Sequence, residues 1–378
     1  MMTENIYLDY AATTPVKKEV LEKILPFFSG HFGNSSSSTH QEGWYANGAI
    51  KRARKQIAKA INCEESEIIF NSGATEGINQ AIRSIYKLYY KKGNHIVVSK
   101  TEHKAVLDTV KDLEKEGADV TYLDVNNDGI IDVKTFKSAL KESTILAAVM
   151  WINNETGVIQ DIKYLSEIAY EHNIPFLCDG TQAIGKIPID MTENKIGVMP
   201  LSAHKFFGPK GVGALYVRRK NPRIALTPLI TGGSQERKLR AGTLNTPGIV
   251  GMGEAIELAN SELNKNSKRL IEIKESFKLF FNQYHALYNE AENSTSPHIL
   301  NITLPNVKAD SLIKKTRNLS FSLGSACTSE TLDPSHVLSA MEKSKEDCFS
   351  SFRLSFSSEI TDDMINTAKK VFESALNE

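Results

Sequence analysis

Lys205 stands between His204 and the aromatic pair Phe206 and Phe207, directly after an apolar run. A lysine amine in such a confined setting can form a Schiff base with a carbonyl compound. Asp179 follows another apolar run, on what should be the neighbouring strand end, where a carboxylate can pair with a protonated pyridine nitrogen. Ser72-Gly73-Ala74-Thr75 opens a helix-like stretch, and unpaired backbone N–H groups at a helix start can cradle a phosphate. Each feature alone has a plainer reading: a surface lysine, a loop carboxylate, an ordinary N-cap followed by Glu76. Phosphate cradle, pyridinium carboxylate and Schiff-base lysine together describe a pyridoxal-phosphate site.

These residues need a scaffold that brings strand ends together. Short β-branched runs at 67–70, 95–99, 120–125, 145–152, 174–178, 198–202 and 213–217 alternate with amphipathic stretches at 76–90, 105–116, 133–142 and 165–172. Strand–helix–strand repetition predicts an α/β fold whose large domain holds a mostly parallel seven-stranded sheet covered by helices. Beyond residue 248 the pattern predicts one long helix to about 288. A smaller α/β set follows, with strands near 298–304 and 352–356 and a last helix from 361. The expected division is a large domain over 15–260 and a small one over 1–14 and 261–378. Ligands of open α/β sheets sit beyond the carboxyl ends of the strands. There the sequence offers Thr75, then His103, then Asn153-Asn154-Glu155, then Asp179 with Gln182, then Ser202-Ala203-His204-Lys205.

The 378 residues carry 45 Lys+Arg and 45 Asp+Glu, a formal net charge of zero, which disfavours direct nucleic-acid binding. Hydrophobic residues at 41% and charged residues at 24% exclude wholesale disorder. The four cysteines, Cys63, Cys178, Cys327 and Cys348, are widely spaced with no CxxC pair, so neither a disulfide framework nor a zinc site is expected. The start Met1-Met2-Thr3-Glu4-Asn5 shows no signal peptide and no run approaches a membrane span. A cytoplasmic protein without membrane contact is the expectation. Asp124-Val125-Asn126-Asn127-Asp128-Gly129 matches half a calcium loop, but Thr135 holds the place of the bidentate Glu, so the segment reads as a turn and no metal is expected. The basic run Lys51-Arg52-Ala53-Arg54-Lys55 reads as a solvated helix face.

Several longer motifs resemble the NifS/IscS-type cysteine desulfurases of the class-V aminotransferase family, which are pyridoxal-phosphate enzymes of fold type I. They include Tyr7-Leu8-Asp9-Tyr10-Ala11-Ala12-Thr13-Thr14-Pro15, Thr101-Glu102-His103-Lys104-Ala105-Val106, Asn153-Asn154-Glu155-Thr156-Gly157 and Ser202-Ala203-His204-Lys205. Ser72-Gly73-Ala74-Thr75-Glu76, Gly232-Gly233-Ser234-Gln235-Glu236-Arg237, Arg240-Ala241-Gly242-Thr243 and Gly324-Ser325-Ala326-Cys327-Thr328-Ser329 extend the likeness along nearly the whole chain. The resemblance implies that Lys205 carries pyridoxal 5'-phosphate, Asp179 pairs with its ring nitrogen, Gln182 donates toward the ring hydroxyl and His103 stacks on the ring as an acid–base group. It implies that Ala74, Thr75, Ser202 and His204 hold the phosphate, joined by Thr243 of a second subunit in a homodimer. Asn34, Asn154 and Arg353 would grip the substrate carboxylate, for which an arginine fork is suited.

Cys327 sits among small, flexible neighbours, as a travelling thiolate requires, whereas Cys348 follows Asp347, and Cys63 and Cys178 read as packing residues. The implied reaction converts L-cysteine to L-alanine, leaves the sulfur on Cys327 as a persulfide and passes it to an acceptor protein for iron–sulfur cluster assembly or another thio-modification. A selenocysteine lyase, a small-amino-acid transaminase and a regulatory partner of a sulfur-transfer complex are the alternatives. Transamination needs no nucleophilic thiol, and a regulatory partner needs none of Lys205, Asp179, His103 and Cys327. Ser35, Leu323 and Ser357 depart from the family habit of Pro, Ser and Gly at those places. The chain also stops at Glu378, short of the tail with which family members meet their iron–sulfur scaffold, so scaffold partnership is not expected.

Overall fold

A computed structural model of the chain describes residues 5–323 and 333–377. The chain opens with a short strand, β1 (Ile6–Tyr7), and then builds its main sheet from β2 (Ile68–Asn71), β3 (His95–Ser99), β4 (Asp119–Leu123), β5 (Thr144–Ala148), β6 (Phe176–Leu177), β7 (Val198–Ser202) and β8 (Gly213–Val217). Among the described residues this sheet has seven strands in the order β2-β8-β7-β6-β5-β3-β4. All neighbours are parallel except those of β8, which runs against both β2 and β7. Because β2 and β7 both oppose β8, they point the same way. The carboxyl ends of β2, β3, β5, β6 and β7 therefore meet at one edge.

Period-two alternation assigns each strand to two separate cores. Val97 and Phe70 face a layer containing the helix Gln41–Ala60 and the helix Thr246–Ser261, while Ile96, Val98 and Ile69 face Ile78, Ile82 and Val110 of the helices Ala74–Tyr89 and Lys104–Lys115. Burial on both faces is what a parallel sheet with crossover helices requires. The helix Gln41–Ala60 extends well beyond the helix face expected at 51–55; its buried face, Gly43, Ala46, Ile50, Ala53 and Ile57, keeps helical spacing but is made largely of small residues. The basic run on that helix is not wholly solvated. Arg54 makes a two-pronged ion pair with buried Glu236, with bonds of 2.9 and 2.6 Å, and lies 4.5 Å from the centre of the Phe70 ring.

The remaining strands are β9 (Leu287–Tyr288), β10 (Ile299–Thr303), β11 (Leu319–Ser320), β12 (Ser322–Leu323) and β13 (Ser351–Ser355). They form an antiparallel sheet of order β12-β13-β10-β9 and a parallel pair β1-β11. Their core is aromatic: Phe277 stacks on Phe356 at 5.3 Å, and Phe372 meets Phe281 edge-on at 5.2 Å. The single long helix expected beyond residue 248 is two helices, Thr246–Ser261 and Leu263–Asn282, broken at Glu262. Glu262 leaves helical geometry with ψ of 0° and turns its carboxylate to Lys17 at 2.6 Å. Val337, Leu338, Met341 and Cys348 belong to the C-terminal third of the sequence yet pack into the large core. They tie the chain after residue 333 back to the main sheet.

Candidate active site

At the shared edge lies a cavity of about 890 Å³. Its wall includes Ala74, Thr75, His103, Asn154, Asp179, Gln182, Ser202, His204, Lys205 and Arg353. Of the other expected residues, Asn34 and Thr243 are exposed away from that wall, and Cys327 lies outside the described residues. Asn34 instead closes a local turn, its Oδ1 accepting from the Ser36 amide at 2.9 Å.

One wall is a helix start. β2 ends in Asn71, whose Oδ1 accepts from the Gly73 amide at 3.1 Å, and no side chain caps the helix that begins at Ala74. Its first N–H groups are thus left for a ligand, and the helix dipole favours an anion there. Gly73 has a φ of 152°, and Gly213 at the start of β8 approaches so closely that a Cβ would come within 2.6 Å of the Gly73 Cα. Both positions require glycine for the cradle to exist. Behind it, Glu76 accepts from the Ser72 amide at 2.8 Å and pairs with Arg240 at 3.0 Å. Burial pushes the Glu76 carboxyl up, but the bonds from Arg240 and Ser72 outweigh it and hold the group below its ordinary value.

Lys205 closes the short turn Ala203–Lys205 after β7. Its Nζ donates to the carbonyl oxygens of Ala11 and Ala12, both at 2.7 Å, and among the described residues it forms no ion pair. Burial foremost, and then the charge of Arg353, lower its pKa to about 8 despite the opposing pull of Asp179 and Asp9. With a pKa of about 8 the amine is half unprotonated at that pH, a far larger nucleophilic fraction than an ordinary lysine offers. His204 is held down at about 4 by burial and by Lys205 and Lys210, so it remains neutral, its Nδ1 lying 3.1 Å from Thr13 Oγ1.

Asp179 is buried, and its Oδ1 accepts both the amide of Thr181 at 3.0 Å and the Thr181 hydroxyl. These bonds clamp the carboxylate on one oxygen. Gln182 donates from Nε2 to the Ala11 carbonyl at 2.9 Å. An amide nitrogen has two hydrogens, so one remains for a group in the cavity. His103 caps the helix Lys104–Lys115, its Nδ1 accepting from the Ala105 amide at 3.0 Å. The neutral ring therefore carries its proton on Nε2. Although His103 faces the open cavity, the surrounding protein removes water from the ring. That burial, with Lys205 and His336, lowers its pKa against the attraction of Asp179.

Arg353, on β13, spans the two sheets. It donates to Asn154 O at 2.7 Å, to Asp9 Oδ1 at 2.6 Å and to Ser322 Oγ at 3.1 Å. Its Nε is buried and has no partner among the described residues, while the residue itself lines the cavity. The set of an uncapped helix start, a clamped carboxylate, a free amide hydrogen, an amine outside any ion pair and a guanidinium on the wall fits a phosphorylated, protonated heteroaromatic aldehyde with a carboxylate-bearing substrate beside it.

Sequence reasoning had not singled out Thr181, Asp9 or Glu102 for roles. Glu102 is fully buried, accepts from the Met150 amide at 2.6 Å, and is pushed well above the carboxylate range by burial. Nor had it given a role to Glu155, whose Oε2 accepts from Ser335 at 2.5 Å, or to His336, whose Nε2 meets Glu102 O at 3.0 Å. These contacts fix the chain beyond residue 333 onto the turns that hold His103 and Asn154. The other cysteines are inert by setting, since burial first of all raises the thiols of Cys63, Cys178 and Cys348.

The family model described as aminotransferase class-V matches residues 6–367. The cysteine desulfurase IscS of Neisseria meningitidis serogroup C (strain 053442) is 44% identical over 372 residues, covering 98% of this chain and 92% of that protein. Among solved structures, a NifS-like protein superposes with a TM-score of 0.92 at 32% identity over 99% of both chains. SspA, solved in complex with cysteine, superposes with a TM-score of 0.84 at 38% identity, covering 93% of this chain and 98% of that one.

Proposed function

The chain belongs to the class-V aminotransferase family and is a cysteine desulfurase, and on that premise we propose that its cavity binds pyridoxal 5'-phosphate and L-cysteine and that Cys327 receives the sulfur. The observation that carries this reading is the Lys205 amine, lowered to about 8 and held by two carbonyl oxygens opposite the clamped Asp179 carboxylate. Pyridoxal phosphate, when bound, supplies an electron sink that lets bonds at and beyond the substrate's α-carbon break heterolytically.

The chain's residues do the rest. Ala74, Thr75, Ser202 and His204 hold the phosphate at the uncapped helix start. Asp179 would face the ring nitrogen with its clamped carboxylate, and Gln182 would offer its free N–H to the ring oxygen. Lys205 Nζ would hold the cofactor covalently and is the amine placed to take the proton from the substrate Cα. Arg353 and Asn154 orient the substrate carboxylate. His103 holds the proton exchanged with the substrate thiol at Nε2. The Cys327 thiolate attacks the substrate sulfur, so an S–S bond forms and the C–S bond breaks. The electron pair left on carbon takes a proton, giving L-alanine and a Cys327 persulfide for an acceptor protein.

Support for a homodimer is the exposure of Thr243 away from its own cavity, where a second copy could use it. The aromatic core around Phe277, Phe281, Phe352 and Phe372, separate from the two cores that flank the main sheet, supports a large domain over 15–260 and a small one over 1–14 and 261–378, with Val337, Leu338, Met341 and Cys348 of the latter packed into the large core. No described helix is long and apolar enough to cross a membrane. The deciding experiment is Cys327→Ser. Sulfide release from L-cysteine should vanish while the cofactor's visible absorption stays. Undiminished sulfide release would end the assignment of Cys327, and keto-acid formation without sulfide in the unmodified protein would favour a transaminase.

A further inference from the structure

We infer that His298 is a positioning residue for the cofactor cavity, holding the Gln182 side chain in the one orientation that presents its amide nitrogen there. The inference rests on the role proposed for Gln182 above. His298 comes from the other sheet, one residue before β10, and is fully buried. Its Nε2 lies 3.3 Å from Gln182 Oε1, and its Nδ1 lies 2.5 Å from Ser296 Oγ.

The hydrogen positions follow from the partners. A carbonyl oxygen only accepts, so the Gln182 atom bonded to Ala11 O must be the nitrogen, and the atom facing His298 must be the oxygen. His298 Nε2 must then donate, its Nδ1 is bare in the neutral ring, and Ser296 must donate to it. Every atom of the relay has one consistent role. Ala11 O also accepts from Lys205 Nζ, so the Gln182 nitrogen is fixed beside the reactive amine. Ala11 and Gln182 line the cavity and His298 does not, which leaves Gln182 Oε1 turned away from it.

The relay has a rigid base. Lys274, buried on the helix Leu263–Asn282, donates to Thr295 Oγ1 at 2.9 Å and to Ser296 O at 3.1 Å, and pairs with Glu290 at 2.7 Å. The ring stays neutral because burial, with the positive charges of Lys186, Lys274, Arg353 and Lys205 around it, keeps its pKa well below the ordinary value. Without His298, Gln182 Oε1 would be buried and unpaired, and rotating the amide would cost the bond to Ala11 O. Losing a neutral hydrogen bond of this kind costs about 0.5–1.5 kcal/mol, so a threefold to tenfold effect is expected at the cofactor.

The test uses the holoprotein and the apoprotein reloaded with pyridoxal phosphate. Two quantities are read: the pH midpoint of the cofactor's visible band, and the dissociation constant of pyridoxal phosphate. Gln182→Ala is the reference and should move the midpoint and weaken binding about tenfold, about 1.4 kcal/mol. His298→Leu should move both in the same direction, by about threefold to tenfold in affinity, and His298→Gln, which restores a donor of similar reach, should recover most of the loss. The double variant Gln182→Ala/His298→Leu should be no worse than Gln182→Ala alone, since the two act through one bond. Ser296→Ala is the gentler probe should His298→Leu not fold, and should shift the midpoint in the same direction by less. A wild-type midpoint in His298→Leu or Ser296→Ala, or additivity in the double variant, would overturn the inference while leaving the role of Gln182 standing. A wild-type midpoint and affinity in Gln182→Ala would instead remove that role, and the inference with it.

Discussion

Two lysines deprived of water show how differently the molecule treats the same side chain. Lys274, in the aromatic-cored half, is 3% exposed and is given a carboxylate, Glu290, at 2.7 Å together with two oxygen acceptors. Lys205, at the sheet edge, is given two neutral carbonyl oxygens and sits beside the positive charge of Arg353. The first arrangement sets the Glu290 carboxylate against the burial that lowers the Lys274 pKa, and makes a strut. The second withholds compensation, so the proton is held loosely and the amine is ready to react. Carboxylates exist near Lys205, but both are occupied: Asp179 by Thr181, and Asp9 by Arg353. Reactivity here is a matter of which neighbours are already engaged.

That contrast can be broken in three places. Removing the reactive amine has the largest expected effect. Lys205→Ala should lower sulfide production by about four orders of magnitude or more, as for other single catalytic groups. Its melting temperature should stay the same or rise, because no partner charge is stranded. A large fall in melting temperature would mean that Lys205 is a strut like Lys274. The reverse holds for Lys274→Met, which leaves Glu290, its side chain 10% exposed, with Lys278 and the Thr295 hydroxyl. Breaking a buried pair costs about 3–5 kcal/mol, and the remaining lysine places this case near the lower end. Urea unfolding should show the loss, with the cofactor band still present. An unchanged urea midpoint would remove the distinction.

The smallest effect is in pH. Burial lowers the Lys205 pKa from the ordinary lysine value of 10.5 to about 8 on folding. Between those values the unfolded chain binds more protons than the folded one, so stability rises with pH. The destabilising contribution is full below about pH 8 and gone above about pH 10.5. The apoprotein should therefore gain stability across that window more steeply than Lys205→Met. Parallel curves of urea midpoint against pH for the two proteins would contradict the lowered value.

Most of the sheet and much of its active edge were legible in the sequence, because both are local patterns. β-Branched runs fix strands through period two, and Asp179, Lys205 and the Ser72–Gly73 cradle follow their strands immediately. What escaped was non-local. His298 meets Gln182 across 116 residues, Ser335 meets Glu155 across 180, and Arg353 meets Asp9 across 344. No spacing rule joins positions so distant, since only the packing of one sheet against the other brings them together. Asn34, whose residue type suits a carboxylate grip, has its Oδ1 engaged by the Ser36 amide in its own turn. Of the helix Gln41–Ala60 only the basic face at 51–55 was legible. Its buried face keeps helical spacing, but Gly43, Ala46 and Ala53 are small residues that give a weak apolar signal.

The central claim is that neighbours already engaged elsewhere make Lys205 the cofactor-bearing amine. Lys186, also lowered to about 8 by burial and by Lys17, and Lys210 on the cavity wall are the natural rivals. The holoprotein reconstituted with pyridoxal phosphate should be reduced with borohydride, digested and mapped by mass spectrometry. The account predicts the reduced cofactor on Lys205, at one per chain. A cofactor fixed to Lys186, Lys210 or another lysine, with Lys205 unmodified, would contradict it.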